Sequence, residues 1–180
     1  KMLELGICQP SKSPWANPLH IVDKSNGSVR PCGDYRRLNA ITKPDRYPIP
    51  RLLDFTYVLS DKKVFTKIDL CRAYHQIPIA TEDIPKTAII TPFGLFEFTR
   101  MNFGLRCAAQ TFQRFVDNIL RGLDFTFAYL DDILIYSESE EEHIERFQDI
   151  PMTSRQLIIC QAGKMCFFSP VHRFPRIYHF

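Results

Sequence analysis

The pattern of apolar and polar residues predicts a series of short extended segments and a few helices along the first 149 residues. The best helical pattern covers residues 107–120, where apolar side chains recur at the three- and four-residue spacing of one helix face. Strict alternation over residues 64–69 is typical of a half-buried strand. Further helices are predicted at 35–39, 51–59 and 137–149, and further strands at 20–24, 28–32, 86–91, 95–99, 125–130 and 133–136.

Turn-forming residues separate these segments. Asn26-Gly27 predicts a hairpin between the first two strands, because this dipeptide adopts the positive φ angles of tight turns. Pro92-Phe-Gly94 predicts a second hairpin, three prolines within 42–50 predict an extended loop, and Asp34 is predicted to cap the helix at 35–39. Regular alternation of strands and helices is absent. We therefore predict an α+β fold with an antiparallel sheet backed by helices, not a doubly wound parallel sheet.

The composition limits the class of protein. Hydrophobic residues make up 45% of the chain and charged residues 24%, which predicts a packed core rather than a disordered chain. The net charge of +3 permits a polyanionic partner but does not by itself predict one, because nucleic-acid binding depends on where basic residues cluster. No apolar run reaches about 18 residues, so no membrane partner is predicted. The six cysteines contain no C-x-x-C pair, and we interpret them as reduced thiols.

The acidic residues carry the chemical information. Asp131 and Asp132 lie side by side between two apolar strands, where Asn-Gly or Asp-Gly would suit a hairpin better. Adjacent like charges repel unless a cation binds them, and a third acid, Asp69, ends the predicted strand 64–69. Three converging carboxylates could hold two Mg²⁺ ions roughly 3.5–4 Å apart, which serves in-line phosphoryl transfer. The pattern by itself leaves a solvated turn and an ordinary strand-final acid open as alternatives.

A family resemblance begins at this acidic segment. Tyr129-Leu-Asp-Asp132 resembles the Y-x-D-D box of reverse transcriptases. Further blocks that resemble the same family follow its order along the chain: Ser13–Pro18, Gly27–Asn39, Asp45–Pro50, Phe65–Leu70, Ala73–Ile77, Asp83–Ala88, Thr91–Gly94, Phe103–Leu105 and Thr111–Gln113. Together, residues 1–149 resemble the reverse transcriptases of Ty3/gypsy-type long-terminal-repeat retrotransposons.

The resemblance implies a right-hand polymerase fold and an activity. The fingers would lie mainly in residues 1–60 and in parts of 78–105, the palm would form the rest of 1–149, and residues 150–180 would be a degenerate or altered tail. The poor apolar periodicity of these last residues separately predicts little structure. The implied reaction is RNA-directed DNA synthesis, in which dNTPs are added to a primer 3′-OH on an RNA or DNA template. Two Mg²⁺ ions, with Mn²⁺ as a substitute, are the implied cofactors.

The resemblance also assigns roles to individual residues. Asp69, Asp131 and Asp132 match the catalytic metal ligands, with Leu70 as a further metal contact. Arg30 matches an arginine that clamps the triphosphate, and Tyr74 matches an aromatic gate whose ring would collide with a ribose 2′-OH. The other expected dNTP contacts are Lys24, Leu70, Cys71, Arg72, Ala73, Phe103 and Gly104.

The chain also departs from the family pattern. Val29 stands where the family usually has Trp, and Asn102 stands where it usually has Pro. We expect the chain to be an excerpt of a longer polyprotein that also carries thumb, connection and ribonuclease H regions. An alternative hypothesis is an inactive remnant that binds nucleic acid weakly or not at all. A third hypothesis, an RNA-dependent RNA polymerase, is opposed by Tyr74.

Overall fold

The structure is a computed structural model that describes residues 2–23, 27, 29–51, 56, 59–70, 72–150 and 166–168. The chain divides into two compact units. Unit 1 contains Lys1–Tyr47 and Arg72–Phe112, and unit 2 contains Pro48–Cys71 and Gln113–Phe180. The sheets are largely antiparallel and are accompanied by helices, so the predicted α+β class is confirmed.

The regular elements of the described residues are short. The strands are β1 Cys8–Pro10, β2 Asn17–Asp23, β3 Val29–Gly33, β4 Val64–Asp69, β5 Ile89–Thr91, β6 Gly94–Phe98, β7 Thr126–Tyr129, β8 Asp132–Ser137 and β9 Cys166–Phe168. The helices are α1 Arg36–Ile41, α2 Ala108–Ile119 and α3 Glu140–Asp149, with 3₁₀ turns at Ala73–Gln76 and Ile84–Thr87. No helix in these described parts of the chain is long and apolar enough to cross a bilayer.

Unit 1 contains a five-stranded sheet in the order β1-β6-β5-β2-β3. Both predicted hairpins are confirmed, because β2 pairs antiparallel with β3 and β5 pairs antiparallel with β6. The prediction of a strand from residue 86 is wrong, since residues 84–87 form a 3₁₀ turn and β5 begins at Ile89. Pro85 favours this turn because its φ angle suits a helical start. The core of the unit contains Ile7, Tyr35, Leu38, Ile89 and Phe98.

Helix α1 begins one residue later than predicted, and Asp34 does not cap it. Tyr35 occupies the N-cap position, and the cap makes no side-chain hydrogen bond. The Asp34 carboxylate instead accepts from the Arg36 amide at 3.2 Å and forms an ion pair with the Arg36 guanidinium at 2.6 Å. Tyr35 is 1% exposed, and its hydroxyl donates to the Thr87 carbonyl. Burial raises the pKa of Tyr35 to about 12, so the phenol stays protonated and serves the core as a hydrogen-bond donor.

Unit 2 contains a four-stranded sheet in the order β7-β8-β4-β9, with every pair antiparallel. The strand predicted at 64–69 is confirmed as β4. After residue 149, where little structure is expected, Cys166–Phe168 forms the short strand β9, which pairs with residues 65–67 of β4. Residues 151–165 and 169–180 lie outside the described residues, as does most of the helix predicted at 51–59.

The helices α2 and α3 agree with the apolar pattern to within a few residues. In α2, Phe112 and Val116 are four residues apart and fully buried, as expected for one helix face. Helix α3 starts at Glu140 rather than at 137, because Ser137 continues strand β8. The Ser139 hydroxyl caps α3 by accepting from the Glu142 amide, and three glutamates in the first turn complement the helix dipole.

His143 anchors α3 to the sheet of unit 2. Its Nε2 atom hydrogen-bonds with the Thr66 hydroxyl of β4 at 2.7 Å, and its Nδ1 atom hydrogen-bonds with the Ser137 hydroxyl of β8 at 2.9 Å. All three residues are buried. Burial lowers the pKa of His143, and the nearby Arg146 charge lowers it further, so the ring is held neutral.

We predict that His143 makes the protein less stable in mild acid. A lowered folded-state pKa means that the unfolded chain binds the proton first, so stability falls as the pH drops below the ordinary histidine pKa of 6.5. Thermal unfolding of His143→Gln should therefore show a smaller loss of Tm between about pH 7.5 and about pH 5.5 than the wild type. His20→Gln, at an exposed position of unit 1, is the control and should keep the wild-type slope. Equal slopes for the wild type and His143→Gln would contradict the prediction.

Candidate active site

Two of the predicted catalytic acids meet at the end of the unit 2 sheet. In the β4/β8 ladder, Asp69 is the register partner of Asp132, and this is the last pair of the ladder. Side chains of directly opposed residues project from the same face of an antiparallel pair. The expectation that Asp69 and Asp132 lie together is therefore confirmed.

The third acid occupies the loop that joins β7 to β8. Asp131 and Leu130 form a two-residue connection, while Asp132 is already the first residue of β8. The prediction of an Asp131–Asp132 turn is thus displaced by one residue. The amide of Leu70 donates to the Asp131 carbonyl at 2.9 Å, which ties this loop to the end of β4. The Asp131 residue is exposed, next to the facing pair.

Lys67 contacts both facing carboxylates. Its Nζ atom lies 2.8 Å from Asp132 Oδ2 and 3.5 Å from Asp69 Oδ1. All three side chains are partly exposed, between 36% and 44%. These contacts offset the repulsion between two carboxylates that the strand register brings together.

The pKa directions reflect this three-residue arrangement. Partial burial raises the pKa of Asp132, the Lys67 ammonium opposes the rise, and the neighbouring Asp69 carboxyl adds to it, so the pKa remains above its usual value. For Lys67, partial burial alone would lower the pKa, but its bonds and charge contacts with Asp132 and Asp69 outweigh burial and raise it. The site therefore favours an arrangement in which a positive charge accompanies the carboxylates.

The loop that carries Asp131 has a strained residue. Leu130 has a φ angle of 50°, which is uncommon for a residue with a side chain and costs on the order of 1 kcal/mol. Hairpins with two-residue loops need positive φ angles, and the chain has no Asn or Gly here to supply them. Surrounding contacts must therefore hold the loop in this conformation.

Gln113 of helix α2 supplies those contacts. Its Oε1 atom accepts from the Leu130 amide at 3.0 Å, and its Nε2 atom donates to the Ala128 carbonyl at 2.9 Å. The Nε2 atom also donates to Asp117 one turn along the helix at 2.9 Å, and Gln113 is fully buried. Gln113 belongs to one of the blocks that resemble the family, but the sequence assigns it no role, because a lone glutamine in an amphipathic helix gives no signal that it supports a distant hairpin.

Tyr74 contacts one of the other expected dNTP-binding residues of unit 1, Phe103. The Tyr74 ring packs edge-on against Phe103, with ring centroids 4.9 Å apart, and against Phe112, at 5.3 Å. Ala73 is buried, and Arg72 is exposed with a left-handed φ angle of 51°. The aromatic contacts fix the direction of the Tyr74 ring within unit 1.

Gly104 follows this aromatic cluster and has a φ angle of 88°, which favours glycine. Its carbonyl accepts from the Asn39 side chain at 2.8 Å. The preceding Asn102 is buried in place of the family's usual Pro, and its amide group bonds the Tyr35 hydroxyl and the Phe103 backbone amide. The substitution thus brings its own hydrogen-bond partners.

The remaining predicted site residues lie in or next to strands β3 and β4 or outside the described residues. Leu70 is buried at the end of β4. Arg30 lies in β3 opposite Val22, and this pairing is what the structure describes of it. Lys24 and Cys71 lie outside the described residues. Within the described parts of the chain, no group of three or more His, Cys, Asp and Glu side chains is arranged as a metal site.

Comparisons with known proteins agree with the motifs. Residues 22–170 match the family described as reverse transcriptase (RNA-dependent DNA polymerase). The chain is 44% identical over 155 residues to the retrovirus-related Pol polyprotein from transposon 297 of Drosophila melanogaster, covering 82% of this chain and 15% of that protein. It is 39% identical over 158 residues to the corresponding polyprotein from transposon gypsy of the same species, covering 83% and 15%. The chain thus spans about 15% of the length of these curated relatives.

Solved structures give the same fold. The foamy viral protease-reverse transcriptase in complex with double-stranded DNA has a TM-score of 0.80 at 23% identity, over 88% of this chain and 28% of that one. The same viral protein in complex with an RNA/DNA hybrid has a TM-score of 0.78 at 21% identity, over 88% and 22%. The predicted fold is confirmed by these likenesses. This chain therefore belongs to the reverse transcriptase (RNA-dependent DNA polymerase) family, and its relatives are the polyproteins of Ty3/gypsy-type long-terminal-repeat retrotransposons.

Proposed function

We propose that this chain carries the nucleotidyl-transfer centre of a retrotransposon DNA polymerase, which joins dNTPs to a primer 3′-OH on an RNA or DNA template. The observation that carries the proposal is the pairing of Asp69 with Asp132 at the end of β4 and β8, beside Asp131 in the loop. We assign the fingers mainly to residues 1–60 and parts of 78–105, and the palm to the rest of 1–149. The solved relatives in complex with DNA and with an RNA/DNA hybrid support such a template-primer as the partner.

The donor set fits divalent cations. Reverse transcriptases generally use divalent metal ions. Mg²⁺ prefers hard oxygen ligands and is usually held by one or two carboxylates together with substrate phosphates, so it does not need a cluster of three protein ligands. Asp69 and Asp132 would hold one such ion, and Asp131, with the backbone of Leu70, would contribute to the two-ion site of the family. When bound, the ions would activate the attacking primer oxygen and stabilise the leaving phosphate oxygen.

The protein's own residues position the reactants. The Leu130–Asp131 loop keeps its strained form because Gln113 and Leu70 bond its backbone. Small displacements of a positioned group can lower the reaction rate by large factors, so the hydrogen bonds that hold this loop would help to keep Asp131 in its catalytic position. The match to the family motifs supports a further set of proposed dNTP contacts: Lys24, Arg30, Cys71, Arg72, Ala73, Phe103 and Gly104.

Tyr74 is proposed to exclude ribonucleotides. Its match to the family's aromatic gate supplies the assignment, and its two edge-on aromatic contacts, with Phe103 and Phe112, supply the rigidity that a steric gate requires. A gate of this kind discriminates by a clash with the unwanted 2′-OH rather than by added attraction to the correct sugar.

Neutralising either acid of the hairpin should abolish primer extension. We expect Asp131→Asn and Asp132→Asn to lower Mg²⁺-dependent dNTP incorporation on a primed template by on the order of 100-fold or more, because each removes a charge that the reaction centre uses. Asp124→Asn is the matched control. It makes the same change in the turn before β7, at an exposed residue of the same unit, and should keep wild-type activity.

The assay needs a second form of the protein, because the chain covers only part of its relatives. We would measure the chain alone beside a version extended with the thumb region of a related element. Incorporation in the extended version alone would place the defect in primer holding rather than in chemistry. No incorporation in either version, with all three acids intact, would favour the inactive-remnant hypothesis and overturn the proposed activity.

Shortening Tyr74 should relax sugar selection. We expect Tyr74→Ala to raise ribonucleotide incorporation relative to deoxynucleotide incorporation by roughly 10-fold or more, because the ring that would meet the 2′-OH is gone. Tyr74→Phe keeps the ring and should keep the selectivity. The ratio of kcat/KM for the two nucleotides is the measurement, and an unchanged ratio in Tyr74→Ala would exclude the gate role.

Gln113 should affect the rate rather than substrate binding. Gln113→Leu leaves the part-buried Leu130 amide and the buried Ala128 carbonyl without their side-chain partner. The cost is roughly 1–3 kcal/mol of unfolding free energy for the carbonyl and less for the amide. We expect a lower Tm and a lower kcat with a nearly unchanged dNTP KM. Gln110→Leu is the control on the same helix, because the buried Oε1 atom of Gln110 has no hydrogen-bond partner among the described residues. Equal effects of the two substitutions would contradict the role of Gln113.

A further inference from the structure

The side chain of Lys67, in strand β4, contacts both Asp69 and Asp132. It lies two residues before Asp69, and side chains two apart in a strand project from the same face. Its own register partner is Leu134, whereas Asp132 lies diagonally across the ladder. Long side chains reach such diagonal neighbours, and Lys67 does so at 2.8 Å.

The ammonium lies where it contacts one oxygen of each acid. It is 2.8 Å from Asp132 Oδ2 and 3.5 Å from Asp69 Oδ1. A divalent ion held jointly by Asp69 and Asp132 would compete for these carboxylate oxygens. Two cations so close to the same oxygens would repel each other, and the Lys67 side chain is flexible and 44% exposed, so it is free to move away.

We propose that Lys67 is the resident counter-cation of the Asp69–Asp132 pair and that a divalent ion displaces its ammonium on binding. The inference rests on the proposed function, since it concerns the same carboxylates. Lys67 is a positioning residue: without metal, it keeps two like charges facing each other at the end of the ladder. The Lys67 ammonium thereby offsets the repulsion that the strand register imposes on Asp69 and Asp132 before a metal ion binds.

This role has a consequence for metal affinity. An ion that binds the chain alone must replace two favourable contacts of the ammonium, so its affinity is reduced. An ion that arrives on a triphosphate brings additional oxygen ligands and negative charge, and the released ammonium is no longer needed for neutrality. The counter-cation thus favours the metal–nucleotide complex over the free ion as the species that enters the site.

The test is a titration of the full chain with Mn²⁺ alone, followed by the electron paramagnetic resonance signal of the free ion. Lys67→Met should bind Mn²⁺ roughly fivefold more tightly than the wild type, which corresponds to the loss of two partly exposed ion pairs. In the absence of metal, Lys67→Met should also have a lower Tm, because the facing carboxylates lose their counter-charge. Added Mn²⁺ should restore more of the Tm in Lys67→Met than in the wild type.

Lys62→Met is the matched control. It removes the same charge from the same unit, where Lys62 pairs with Glu138 at 2.6 Å, and should leave the Mn²⁺ affinity at the wild-type value. Lys67→Arg keeps the charge and its contacts to carboxylates, so it should bind Mn²⁺ no more tightly than the wild type. This variant also serves if Lys67→Met fails to fold, since tighter binding by Lys67→Arg would overturn the proposal.

The other outcomes separate the two levels of the hypothesis. Equal Mn²⁺ affinity in the wild type and Lys67→Met, with binding lost in Asp132→Asn, would overturn the counter-cation role and leave the metal centre standing. Binding that is absent from the wild type and Lys67→Met alike would overturn the metal centre, and the displacement with it. A gain in affinity that Lys62→Met shares would reduce the effect to net charge and would also overturn the specific role of Lys67.

Discussion

The repulsion between Asp69 and Asp132 is the constraint on which the site depends. The β4/β8 register makes these residues direct partners at the end of the ladder, so that their side chains project from the same face of the sheet. A nearby positive charge offsets this repulsion, and the Lys67 ammonium supplies it through two contacts. Under the proposed function, a divalent ion would offset the same repulsion, because a cation held between two carboxylates neutralises their like charges.

The loop that carries Asp131 is stabilised by hydrogen bonds rather than by a counter-charge. The Leu130–Asp131 loop has an unfavourable left-handed residue, and its conformation depends on hydrogen bonds from outside the hairpin. Gln113 and Leu70 bond its backbone from a helix and from the end of the neighbouring strand. The loop is thus determined by tertiary contacts, which agrees with the general observation that backbone strain persists only where the surroundings enforce it.

The boundaries that the sequence predicted incorrectly share a physical cause. The hairpin turn is predicted at Asp131–Asp132 because these residues lie between two apolar segments, yet pairing with Asp69 draws Asp132 into β8. Asp34 was predicted as a cap, yet its carboxylate binds Arg36 while Tyr35 enters the core of unit 1. In both cases local propensity was correct about the region, and a contact with a residue distant in the chain or with the core moved the boundary.

The sequence alone determined the fold class, the strand at 64–69, the two hairpins of unit 1, helix α2 and the identity of the acids, because apolar periodicity and ordered motifs are local properties of the chain. The tertiary structure alone decided which side chains surround those acids. The Lys67 contacts depend on the β4/β8 register. The support of the loop by Gln113 depends on the approach of α2 to β7, and the hydrogen bonds of His143 depend on the position of α3 beside the sheet. Such contacts join residues far apart in the chain, and single-residue propensities do not encode them.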